Sequence, residues 1–94
     1  MNKQEHILSI VGEECAEISQ RCSKAMRFGM KEIQKDQPLT NSERIVEEFN
    51  DLIAVMEMLY DKPIIEIIIP ELIDAKKSKV EKYLSYSQGL GTLT

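Results

Sequence analysis

The stretch that decides the fold is IVEEFNDLIAVMEMLY, Ile45–Tyr60. Ile45, Phe49, Leu52, Met56 and Leu59 recur at spacings of three and four, the repeat of one face of an α-helix. Val46, Ile53 and Tyr60 run alongside, and Val55 and Met58 carry the apolar character further round. A helix apolar on most sides is expected to lie buried between other helices. Asn41 or Ser42 is expected to cap its start, with Glu43 suiting the positive end of the helix dipole. Its end is expected at Tyr60, ahead of Asp61-Lys62-Pro63, because a residue before proline disfavours helical geometry.

Upstream, Ile7, Val11, Ile18 and Ala25 recur at spacings of four and seven, with Leu8, Cys15 and Cys22 beside them. This predicts a first helix over Asn2 to Phe28, stopped by Gly29. Met30 to Thr40 has no firm period and reads as a connecting loop. Downstream, the isoleucines around Glu66 in 64–69 are expected to form an ordered linker, either extended or a buried helical turn. Pro70 suits the first turn of a third helix reaching about Tyr86. Residues 87–94, with Gly89 and Gly91, read as a tail or arm.

The expected fold class is therefore all-α, a helical hairpin plus a C-terminal helix in one domain spanning 1–94. Only four Gly and three Pro in 94 residues agree with long helices rather than many short strands. So short a chain buries little core by itself. The apolar second helix then implies helices from a second subunit, completing a four-helix-type bundle as a homodimer or homotetramer.

A hydrophobic share of 43% with 30% charged residues describes a globular chain rather than a disordered one. The net charge of −4 argues against a general nucleic-acid binder. It leaves room for a small phosphorylated ligand, because a metal ion reconciles an acidic pocket with an anion. Cys15 and Cys22 are seven apart, about 10.5 Å along one helix and too far for a disulfide. They read as reduced core residues, which suits a cytoplasmic protein. The opening Met1–Glu5 is polar and shows no signal pattern. The run 64–70 contains Glu66 and is far too short to span a bilayer, so no membrane partner is expected.

Chemistry enters through carboxylates that interrupt apolar faces. At 100° per residue, Glu14 lies within about 20° of Ile7 and about 40° of Ile18, inside the first helix's stripe. Glu17 falls on its near edge, close to Ile10 and Arg21. On the second helix Glu48 sits at the stripe's edge, with Asp51 three residues on. An ionised carboxylate facing a core is costly unless something neutralises it, and a cation would do so. Each helix thus offers acids at i and i+3, close enough to share an ion. An oxygen-only cluster selects Mg²⁺ or Mn²⁺, and the lack of His and Cys in it argues against zinc. Magnesium usually binds together with substrate phosphates, which points to phosphate chemistry. Glu13, Glu47 and Glu57 read as ordinary solvated acids.

With those residues in place, the chain resembles a known family. Glu13-Glu14-Cys15-Ala16-Glu17 is similar to the EExxE motif, and Glu48-Phe49-Asn50-Asp51 to the ExxD motif, of the all-α MazG-like nucleoside triphosphate pyrophosphohydrolases. The resemblance covers about residues 7–86. It implies Glu14, Glu17, Glu48 and Asp51 as magnesium ligands and catalytic residues, with Glu13 as a supporting acid. The implied reaction converts a nucleoside triphosphate to its monophosphate and pyrophosphate. Lys76, Lys77, Lys79 and Lys82 on the third helix fit a role at the phosphates, in this subunit or a neighbour. Lys79 and Tyr83, four apart, would offer a phosphate contact and a ring beside a base, and Asn50 an amide for a base edge. Against this, Tyr83 also suits a core position, Phe28 reads as core, Arg27 as a possible lining residue, and His6 as a surface or interface residue.

Two other readings stand beside this one. A phosphoribosyl-ATP pyrophosphatase would use the same metal logic, although the features it carries before the first motif are not seen here. A non-enzymatic helical assembly module would account equally well for the apolar second helix. Base and sugar preference are not legible in the sequence.

Overall fold

The computed structural model describes all 94 residues, and every regular element in it is a helix. Helix α1 spans Lys3–Phe28, α2 Asn41–Tyr60, α3 Ile64–Ile67 and α4 Pro70–Leu90. The chain divides into two compact units, Met1–Ile64 and Ile65–Thr94.

The first unit is a hairpin of α1 and α2. Asn2 caps α1, its side chain accepting from the Glu5 amide at 2.8 Å. Gly29 ends the helix with φ 98°, in the region open to glycine. The helices run antiparallel, since Gly29 meets Asn41, Arg21 meets Glu48, and Glu14 meets Asp51. The connection between them is held by the polar groups it must satisfy. Asn41, only 3% exposed, donates through Nδ2 to the Gly29 carbonyl at 2.8 Å and to Glu32 Oε1 at 3.0 Å. Backbone bonds from Asn41 to Glu32 and from Ser42 to Met30, with an isolated bridge between Ile33 and Thr40, close the loop against the helix start.

The cap of α2 is neither Asn41 nor Ser42 but Thr40. Its hydroxyl accepts from the Glu43 amide at 3.1 Å, while Glu43 accepts from the Thr40 amide at 3.0 Å, a reciprocal capping box. The helix stops where expected, at Tyr60, with Asp61 in the left-handed region at φ 52°. Glu57, expected to be a solvated acid, is half-buried and accepts from the Ile64 amide at 2.6 Å. That bond stitches the turn after Pro63 to the end of α2 and starts the single helical turn α3, helical as in one of the two forms expected for this segment but with no buried residue.

The second unit carries α4. Pro70 sits in its first turn, and the helix runs on to Leu90, beyond the expected end near Tyr86. Gly89 is absorbed in the last turn, and Gly91 supplies the left-handed residue at φ 78° that ends it. Only 92–94 follow as a tail.

Burial differs from expectation. Among apolar residues only Ile7 and Ala25 are buried. Helix α2, expected to be enclosed, leaves Val46, Phe49, Met58 and Tyr60 more than half exposed. Phe28 and Tyr83 are exposed at 56% and 58%, so neither is a core residue within the chain. Cys15 and Cys22 are free, as expected, but exposed rather than buried. A single pair of packed helices has one shared face, and the apolar residues on its other faces find no cover inside the hairpin. No helix is long and apolar enough to cross a membrane.

Candidate metal centre

Antiparallel packing brings acids from both helices of the hairpin to one place. Glu14 of α1 and Glu48 and Asp51 of α2 each offer a carboxylate oxygen, and these oxygens lie within 4.8 Å of one another. Glu14 and Glu48 are half-buried and Asp51 is exposed, so the group opens to solvent on the Asp51 side. Glu14 Oε2 is buried and has no hydrogen-bond partner. Burial, then the charges of Asp51, Glu48, Glu17 and Glu13 in that order, raise the Glu14 carboxyl above its ordinary value. An arrangement that disfavours its own negative charge is one that a cation relieves.

The donor set can be tested against the ion. Oxygens on opposite sides of a magnesium with bonds of about 2.1 Å lie about 4.2 Å apart, so a 4.8 Å group needs only small side-chain adjustments. Three carboxylates leave positions for water or phosphate oxygens, as magnesium sites usually do. The residues fit a hard divalent ion.

Of the four ligands expected, the structure gathers three. Glu17 is exposed and lies outside the group. Three residues of α-helix turn it about 60° from Glu14, which carries it off the face that meets α2. It acts on the group through its charge, as does Glu13, which is also exposed.

Arg21 is a residue that the spacing of acids did not bring forward. Its Nε lies 3.8 Å from Glu48 Oε1, and both side chains are 15% exposed. Its Nε and Nη1 are buried with no hydrogen-bond partner. The 3.8 Å approach is an ion pair without a hydrogen bond, which leaves these buried N–H groups unsatisfied beside the acids. The available signal was its place one heptad after Glu14, on nearly the same line of α1. Its partner on α2 could not be read from the sequence.

The residues expected on the substrate side are divided between the two units. Asn50 is exposed and donates to the Val46 carbonyl of its own helix at 2.8 Å, which commits one of its two N–H groups. Lys76, Lys79 and Tyr83 belong to α4 in the second unit, and all three are exposed. His6 is exposed, as expected. Arg27 lies over the Phe28 ring, 5.3 Å from its centroid.

Comparison of the chain with protein-family models, with curated proteins and with solved structures finds no match in any of the three.

Proposed function

We propose that the protein is a magnesium-dependent nucleoside triphosphate pyrophosphohydrolase of the MazG-like kind, releasing pyrophosphate and a nucleoside monophosphate. The observation that carries this reading is the convergence of Glu14, Glu48 and Asp51 from two helices, with a buried Glu14 oxygen left unpartnered. Like charges brought together across a helix interface repel one another, and a bound cation would relieve that. The ordered motifs around Glu14 and Glu48 add the resemblance described above.

In this reading Glu14, Glu48 and Asp51 hold the ion, with Mn²⁺ able to replace Mg²⁺. Glu17 and Glu13 add negative field from outside. The bound ion would neutralise charge on the triphosphate and lower the pKa of an attacking water. Arg21 would direct its unsatisfied N–H groups at phosphate oxygens while staying paired in charge with Glu48. A carboxylate oxygen not engaged with the ion would accept the water's proton. Lys76, Lys79 and Tyr83 would serve the substrate from α4, in this subunit or its neighbour.

The reading includes assembly. Each unit by itself leaves apolar side chains uncovered. Much of the exposed surface is apolar, including Val46, Phe49 and Met58 on α2 and Leu72, Ile73, Val80 and Leu84 on α4. Further copies of the chain, as a homodimer or homotetramer, would cover it and complete a helical bundle.

The test is pyrophosphate release from a panel of ribo- and deoxynucleoside triphosphates and phosphoribosyl-ATP, with magnesium and with chelator. Metal-dependent release from any nucleoside triphosphate is the expected outcome. Turnover of phosphoribosyl-ATP alone would move the assignment to that related activity. A folded oligomer that turns over nothing would favour the assembly module, which the exposed apolar faces also support.

A further inference from the structure

We infer that the cavity at the loop end of the hairpin is the subsite for the substrate's nucleobase, an inference that rests on the pyrophosphohydrolase reading. The cavity is lined by Lys24, Phe28, Glu32, Gln34 and Asn41 and has a volume of about 190 Å³. Drug-sized ligands occupy about 300–1,000 Å³, so this space takes one ring system rather than a whole nucleotide.

Its walls match the chemistry of a base. Phe28 is 56% exposed and borders the cavity, while Arg27, which lies over the ring, does not. An accessible aromatic wall offers a face for stacking, which every base can use. The rim offers donors and acceptors together. Glu32 accepts from Asn41 at Oε1 and keeps its second oxygen as an acceptor. Gln34 accepts from Arg44 at 2.9 Å through Oε1, which leaves its NH₂ group to donate. Asn41 is held rigidly by two hydrogen bonds, so the wall it forms is set before a ligand arrives.

Its position along α1 supplies the second argument. Glu14, Arg21 and Phe28 follow one another at seven-residue intervals, which drifts only about 20° round the helix per step. They form one line leading from the acids, past an arginine with unsatisfied donors, to the aromatic wall. Lys24 lies between Arg21 and Phe28, half-buried at the cavity's edge. From Glu14 the helix rises about 15 Å to Lys24 and about 21 Å to Phe28, the two ends of the cavity's wall on α1. The shorter of the two is comparable to a nucleotide laid out with its phosphate chain, so phosphates at the acids place the base at the cavity.

The experiment uses the full-length protein. The chain has no tryptophan, so Phe28→Trp sets a single indole in the cavity wall. Nucleoside monophosphates, ribo and deoxy, are titrated without metal, so that neither ion binding nor turnover is needed. The expected result is saturable quenching by at least one of them. In the wild type the same nucleotide should shift the amide resonances of Lys24, Phe28, Gln34 and Asn41, and Phe28→Ala should weaken its binding about tenfold. No shift at these residues with any nucleotide, or shifts confined to other parts of the chain, would overturn the subsite. The wild-type titration decides alone if a Phe28 variant does not fold. Metal-dependent pyrophosphate release with a silent cavity sinks only this inference. Nucleotide binding in the cavity without pyrophosphate release sinks the enzymatic reading, and with it the substrate subsite, and leaves a nucleotide-binding cavity.

Discussion

The two units of the chain are built from helices of similar length and differ in what holds them. In the hairpin of 1–64 nearly every turn is tied by a named group: Asn2 and Thr40 at the helix starts, Asn41 in the loop, Glu57 at the turn after Pro63, and Arg21 beside Glu48. In 65–94 the helix α4 has proline at its start and a left-handed glycine at its end, but its first cap residue, Ile69, makes no side-chain cap bond. Its apolar residues Ile69, Ile73, Val80 and Leu84 lie on one stripe by their spacing and remain 41–50% exposed. The comparison teaches that local signals suffice to make both units helical, while the side-chain hydrogen bonds fall in the hairpin apart from that of Thr92 to the Ser87 carbonyl. In the proposed function the metal chemistry accordingly falls to the hairpin, and association to α4 and the outer faces of α2.

The largest effect that could break this division is on activity. Glu48→Gln and Asp51→Asn should each lower pyrophosphate release by more than about 100-fold, since even the outer partners of metal ligands are worth about 10–100-fold. Full activity in either variant would remove the metal centre from the hairpin. Next in size is assembly. Ile73→Glu combined with Val80→Glu should shift the protein to smaller species in sedimentation analysis, with its helix content reduced at low concentration. An unchanged oligomer would remove α4 from the interface.

A smaller effect sharpens the account of the hairpin itself. Thr40→Ala removes one half of the capping box and should destabilise the fold by about 1 kcal/mol in chemical denaturation. The same box lowers the Glu43 carboxyl below its ordinary value, because hydrogen bonds from Thr40's backbone and side chain favour the anion. Its stabilisation is present above the unfolded pKa and is lost as pH falls through the lowered folded pKa. Glu14 has the opposite sign. Its raised folded pKa means the ionised form opposes folding, so this penalty is relieved as pH falls through that pKa. Melting temperatures of metal-free protein should therefore show a gain on mild acidification that Glu14→Gln lacks. An identical pH profile in wild type and Glu14→Gln would contradict the role given to its burial.

What was legible in the sequence follows the same boundary. Helix periods, the stops at Phe28 and Tyr60 and the start at Pro70 depend on neighbours a few residues away, and the sequence shows them. The capping box Thr40-x-x-Glu43 is also local, but Asn41 and Ser42 beside it are cap formers of higher rank, and spacing alone does not choose among the three. Gly89 and Gly91 suggest a tail from residue 87, whereas the helix tolerates Gly89 in its last turn and ends at Gly91. Glu14, Glu48 and Asp51 were found because acids on an apolar face contradict the pattern around them. Arg21, Glu57 and the buried Asn41 were not given their roles, since each has its partner on another element, and spacing along one helix does not reveal that. The exposure of α2 and of both cysteines has the same origin, because apolar pattern marks a face to be covered without saying whether this chain covers it.

The most direct test of the central claim is a manganese titration followed by electron paramagnetic resonance, in which free Mn²⁺ gives the signal and bound ion loses it. The account predicts that wild-type protein depletes the free signal, that Mg²⁺ restores it by competition, and that Glu48→Gln and Asp51→Asn no longer deplete it. Adding a non-hydrolysable nucleoside triphosphate should tighten the wild-type binding beyond what the nucleotide alone accounts for. A free signal untouched by the wild-type protein, or depleted equally by both variants, would contradict the claim that these carboxylates form a metal centre.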